Sequence, residues 1–121
     1  MKLFLLIGAI NGFLAVALGA FGAHGLEGRL SEKALNTWEK AVNYQMFHTM
    51  ALLVTGLLMA RLEISSIHWA GWLFLIGILL FSGSLYVYAT TSIKAFAMIT
   101  PLGGVAFLIG WILLAYTVTR L

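Results

Sequence analysis

Histidine is the side chain best suited to moving protons near neutral pH, and the sequence has three, at positions 24, 48 and 68. Only His48 lies deep within an apolar stretch. Gln45 stands one helical turn before it, while Ser82 and Ser84 occupy a second apolar stretch further along the chain. If those stretches are antiparallel helices joined by a short loop, a rise of about 1.5 Å per residue brings Gln45 level with Ser84 and His48 level with Ser82. Thr100 reaches a similar depth, and His24 would cover the layer from above. An imidazole, an amide and hydroxyls at one level could orient a polar ligand or relay a proton, which is the default reading of ionisable groups inside a membrane. They could equally bond only to one another, as Gln, Ser and His commonly do between transmembrane helices.

The binding candidates are therefore His24, Gln45, His48, Ser82 and Ser84, with Asn11, Trp38, Glu39 and Thr100 as auxiliaries. Glu39 is the only acid near the layer and reads as a solvated interfacial charge. Asn11 lies deeper, beside glycines, and suits an interhelical hydrogen bond. Scattered hydroxyls with one histidine do not make a nucleophile, a base and a charge stabiliser, so no catalytic residue is assigned and a non-enzyme is expected. No cofactor and no metal site are expected either. There is no cysteine, His24 lies about 10 Å above His48 by helical rise, and His68 belongs to the opposite interface.

These residues need apolar helices to hold them. Of 121 residues 62% are hydrophobic and 9% charged, against about 25% charged in a soluble domain. The expected fold is all-α: one domain, residues 1–121, forming an integral membrane bundle of four transmembrane helices. The spans fall at approximately 3–23, 41–60, 69–89 and 97–119, each long enough to cross hydrocarbon. A cleaved signal peptide is the rival reading of the first, set aside because the apolar run is long and more spans follow. An interfacial helix at approximately 31–40, capped by Ser31, leads into the second span. Trp69 and Trp72 open the third and Tyr86 and Tyr88 close it, as an interfacial aromatic belt would. Pro101 suits the first turn of the fourth, where a missing N–H is harmless.

Charge leaves the orientation open. An even number of spans puts Lys2, Arg61 and Arg120 on one side and Arg29, Lys33, Lys40 and Lys94 on the other, which is no usable bias. The net charge of +3 is spread over distant loops, so no cluster is expected that would grip nucleic acid or an anionic lipid headgroup. Small residues recur at helical spacing in Gly8, Gly12, Ala15, Gly19 and Gly22, in Ala70, Gly77 and Ser84, and in Gly103, Ala106 and Gly110. Such faces hold helices of one copy together or join copies into a homo-oligomer.

Four motifs carry a resemblance: Gly-Ala-Phe-Gly-Ala-His-Gly at 19–25, Tyr-Gln-Met-Phe-His at 44–48, Phe-Ser-Gly-Ser-Leu-Tyr at 81–86 and Ile-Thr-Pro-Leu-Gly-Gly at 99–104. With Trp38 and the Gly-Trp pair at 110–111, the chain resembles the bacterial YgdD/YwdK family over essentially its whole length. The resemblance implies a small multi-pass protein of the bacterial plasma membrane and supplies no reaction. The expectation is a non-catalytic binding or accessory protein with the lipid bilayer as its surroundings and an unspecified protein partner or small ligand. The alternative is an oligomeric transporter or channel for protons or a small solute.

Overall fold

The computed structural model describes Met1–Leu121. Helix α1 covers Lys2–His24 and α2 covers Glu32–Leu58. A third rod runs from Ser65 to Thr91 as α3 (Ser65–Gly77), a π turn (Ile78–Ser82) and α4 (Gly83–Thr91). Helix α5 covers Lys94–Val118. Three of the rods, Lys2–His24, Ser65–Thr91 and Lys94–Val118, are long and apolar enough to cross a membrane.

Helix α2 is as long but more polar, and its place in the bundle explains why that is tolerated. It packs against α1 on one side and against the third rod on the other. Ten of its residues are buried, including Gln45, His48, Thr49 and Thr55. Thr49 and Thr55 each donate to the carbonyl one turn back, to Gln45 and Ala51 at 2.7 Å. These four buried polar groups thus meet protein, where an unpaired one would be costly.

Ser31 caps α2 as its sequence suggests, its hydroxyl accepting from the Ala34 N–H at 3.1 Å. There is no break near Lys40, so the expected interfacial helix at 31–40 and the second segment at 41–60 are one continuous helix ending at Leu58. The third rod begins at Ser65, four residues before Trp69. These two shifts slide it against α2 by about six residues, or about 9 Å at helical rise. Helix α5 likewise starts at Lys94, so Pro101 lies inside the helix rather than in its first turn. Its missing N–H leaves the Ala97 carbonyl without the usual helical donor.

The small-residue faces are filled within the one chain. A Cβ at Gly8 would fall 2.7 Å from the Leu53 side chain, and one at Gly22 would fall 2.5 Å from the Trp38 ring. At Gly77 and Gly110 it would meet Phe107 and Phe74 at 2.3 and 2.9 Å. At Gly103 it would strike the Phe81 backbone nitrogen at 2.3 Å. These faces therefore hold α1 on α2 and α5 on the third rod.

Candidate functional site

The polar side chains form separate groups rather than one layer. The first joins three helices: the Gln45 amide donates to Asn11 Oδ1 at 3.1 Å and its carbonyl accepts from the Tyr86 hydroxyl at 2.7 Å. Asn11 also donates to the Ile7 carbonyl at 3.0 Å. Beside this chain Trp38 packs edge-on against Tyr86, ring centroids 4.6 Å apart, and its indole donates to the Leu18 carbonyl at 2.9 Å.

The second group is built on His48, which is only 3% exposed. Its Nδ1 lies 2.8 Å from the Tyr44 carbonyl and its Nε2 lies 3.1 Å from the Trp111 indole nitrogen. A carbonyl only accepts and an indole N–H only donates, so Nδ1 carries the proton and Nε2 is the acceptor. The ring stacks on Phe107 at 3.5 Å between centroids and 9° between planes. Every polar atom of the imidazole is thus engaged, in the neutral tautomer.

The two serines turn elsewhere. Ser82 donates to the Ala41 carbonyl at 2.8 Å, and Ser84 pairs with Thr100 at 2.6 Å between hydroxyls. The expected meeting of Gln45 and His48 with Ser84 and Ser82 does not occur, for two physical reasons. One is the six-residue slide set by the early start of the third rod. The other is the π turn, which inserts about one extra residue and so rotates all that follows by about 100° on the helical wheel. Level counting assumes unbroken α-helices.

Of the remaining candidates, Asn11 joins Gln45 and Thr100 joins Ser84. His24 is the exposed last residue of α1 and covers neither group. Glu39 is exposed beside Trp38, in a depression between α1 and α2 that Glu27 shares. His68 lies at the other end of the molecule, 3.6 Å from Glu63. Sequence reasoning missed Tyr86 and Trp111 as partners. Tyr86 was assigned to an interfacial belt, whereas its hydroxyl points inward to Gln45. The sequence signal for both was their presence in the two motifs that end Leu-Tyr and Gly-Trp.

Helices α2 and α5 meet through the His48–Trp111 bond and the Phe107 stack, and beside this bridge a cleft remains. Its volume is about 650 Å³, within the range of small-molecule sites. Phe81, His48 and Phe107 line it together with Tyr44 and Phe47 from α2 and with Pro101, Gly104, Val105, Leu108 and Trp111 from α5. Asn43 lines it as well. Phe47, Val105 and Leu108 are more than half exposed, so the cleft opens sideways to whatever surrounds the bundle.

A helical bundle with polar pairs buried among apolar rods is the build of a small membrane protein. The comparisons agree. A model of a protein family of unknown function, DUF423, matches residues 18–104. The UPF0382 membrane protein YwdK of Bacillus subtilis is 50% identical over 121 residues, covering 99% of this chain and 98% of that relative. The UPF0382 membrane protein SAB0533 of Staphylococcus aureus is 54% identical over 114 residues, 94% of this chain and 93% of the relative. A Staphylococcus haemolyticus relative, SH2409, is 50% identical over the same length. The chain belongs to this UPF0382 family of uncharacterised membrane proteins. No solved structure matches it.

Proposed function

We propose that this protein is a non-catalytic binding protein that crosses the bacterial plasma membrane four times and holds a small membrane-soluble molecule in the cleft between α2 and α5. The observation that carries the reading is the cleft: about 650 Å³, mostly apolar in its lining, and open sideways. A ligand already dissolved in the bilayer would enter it without leaving hydrocarbon. Helix α2 is counted as the fourth span because it runs antiparallel between rods that are each apolar enough to cross, and its polar residues Gln45, His48, Thr49 and Thr55 are buried. Both termini then lie on one side.

His48 serves this reading by structure. With Nδ1 and Nε2 both engaged, it fixes α2 to α5 at one end of the cleft and presents its stacked ring to the interior. The Asn11–Gln45–Tyr86 chain and the Ser84–Thr100 pair are closed on themselves, which favours binding over conduction through a hydrated polar route.

The test uses Gly104→Leu. A Cβ at Gly104 meets only the Phe81 ring, at 3.9 Å, so a larger side chain there fills the cleft without forcing helices apart. Protein purified in mild detergent should retain an extractable apolar molecule, and Gly104→Leu should lose it while unfolding at the same temperature. Equal retention by both proteins, or none by either, overturns the reading. Proton or solute flux in proteoliposomes would establish transport instead, and cysteine labels at the two termini that react from opposite faces would refute four spans.

A further inference from the structure

The cleft is walled by rings. Of its 11 lining residues, Tyr44, Phe47, Phe81, Phe107 and Trp111 are aromatic and His48 adds a sixth flat ring, whereas Phe, Trp and Tyr make up 13% of the chain. The chain's many leucines, isoleucines and valines supply only Val105 and Leu108. On α2 the wall is two neighbouring stripes, Asn43 with Phe47 and Tyr44 with His48, each pair one turn apart. Tyr44 packs against Phe81 at 4.4 Å between centroids and Phe47 against Trp111 at 5.5 Å, yet Tyr44 is 43% and Phe47 61% exposed. Much of each ring is therefore open to a ligand, and a flat ligand meeting such rings face-on or edge-on gains contact beyond simple burial.

No charged residue lines the cleft, so its occupant is neutral. Two polar side chains in the lining have no protein partner. The side-chain hydrogen bonds along α2 belong to Thr37, Trp38, Gln45, His48, Thr49 and Thr55, which leaves the Asn43 amide and the Tyr44 hydroxyl unbonded. Ser82 donates to the Ala41 carbonyl, and Gly103 abuts the Phe81 nitrogen, so Ala41 and Gly103 stand at about the same depth on the third rod. Asn43, two residues further along α2, is then level with Val105, midway down the cleft from Pro101 to Trp111. The chain carries no charged residue between Lys40 and Arg61, so this amide lies within the apolar part of α2, where an unpaired polar group is costly. An amide and a hydroxyl can each donate and accept. A ring carbonyl only accepts, while the hydroxyl of its reduced form also donates, and this one pair of side chains suits both.

We propose that the cleft binds the ring of a lipid-soluble quinone, oxidised or reduced, with Asn43 and Tyr44 on a ring oxygen and the apolar tail leaving sideways past Val105 and Leu108. The proposal rests on the binding reading above and names the class of its ligand. The flat rings of the wall match a flat ring, the neutral donor and acceptor pair matches its oxygens, and the open side lets the tail stay in the bilayer. A phospholipid would bring a phosphate to a lining that offers it no cation.

Native mass spectrometry of the full chain in mild detergent tests this, with a prenylated naphthoquinone, the naphthalene of the same prenyl chain, and phosphatidylethanolamine as probes. Wild type should bind the quinone about fivefold more tightly than the naphthalene, as one net hydrogen bond allows, and phosphatidylethanolamine should not displace it. Asn43→Leu should lower that preference and the double Asn43→Leu, Tyr44→Phe variant should abolish it. Phe47→Leu should weaken both ring ligands alike, and Phe13→Leu, exposed on α1, should change neither. Equal affinity of wild type for quinone and naphthalene, a preference that survives in the double variant, or displacement of the quinone by phospholipid overturns the quinone assignment. The Gly104→Leu protein separates the two claims. If it loses the molecule that co-purifies with wild type while wild type shows no preference for the quinone, the cleft stands and the quinone falls; if it binds the quinone as tightly as wild type, both fall.

Discussion

Replacing Gly103 by alanine should destabilise the bundle, whereas the same replacement at Gly12 should not. The added Cβ at Gly103 would lie 2.3 Å from the Phe81 nitrogen, 2.7 Å from the Phe81 Cβ and 2.8 Å from the Leu80 carbonyl carbon. Two of these atoms are backbone, so no rotamer change relieves the overlap. Reaching an ordinary contact beyond 3.4 Å requires α5 and the third rod to part by about 1 Å. A gap of that size forfeits a quarter to a half of the dispersion energy of each contact across it, and overpacking of this kind costs about 1–3 kcal/mol. The seats of Phe107 on Gly77 and Phe74 on Gly110 lie along the same interface and would loosen with it. At Gly12 the new Cβ meets only the Thr49 methyl, at 3.6 Å, and alanine gains about 1 kcal/mol of helix propensity over glycine. Reversible unfolding in mixed detergent micelles, followed by circular dichroism, measures both. Gly103→Ala should unfold at lower denaturing detergent and Gly12→Ala at equal or higher. Equal stabilities, or the reverse order, would refute the packing argument.

Tyr86→Phe should cost about 0.6–1.7 kcal/mol by the same assay, since it removes one interhelical donor from Gln45. Gln45→Leu should cost more, because it strands both Asn11 and Tyr86, and a smaller loss would show that the three-helix chain is not held as described. Nitrogen NMR of labelled imidazoles should find His48 protonated at Nδ1 and bare at Nε2, and a proton on Nε2 would contradict the Trp111 bond. Trp111→Phe should leave that Nε2 without a donor and loosen α5 from α2, read as faster hydrogen exchange in the segment 101–111 than in the α1 segment.

Much of the fold was legible because hydrophobic length is a strong signal. Apolar runs ending near His24, Thr91 and Val118 mark three rods, and Ser31 marks the start of α2 through its side-chain cap. The glycine faces were legible as packing faces, though only the structure shows which helix each receives. Within the polar candidates, burial was legible and partners were not. His48 and Gln45 do sit buried on one face of α2, as their spacing with Ala41 and Leu52 requires. Their partners were out of reach, since depth matching depends on where the loop at 59–64 begins and on an unbroken helical phase. The π turn at Ile78–Ser82 has no sequence signature in that stretch, yet it turns Ser82 to the Ala41 carbonyl and leaves Phe81 facing Tyr44 at 4.4 Å. The cleft itself arises from Pro101, Gly104 and the aromatic bridge acting together, and lies in none of them alone.

The central claim is that the space between α2 and α5 belongs to a membrane-soluble ligand. A crystal structure grown from a lipidic phase tests it most directly. The account predicts Trp111 bonded to His48 and continuous tubular density running beside Phe47, Val105 and Leu108. Helix α5 packed flush against α2, with no cleft and no bound molecule along that path, would contradict it.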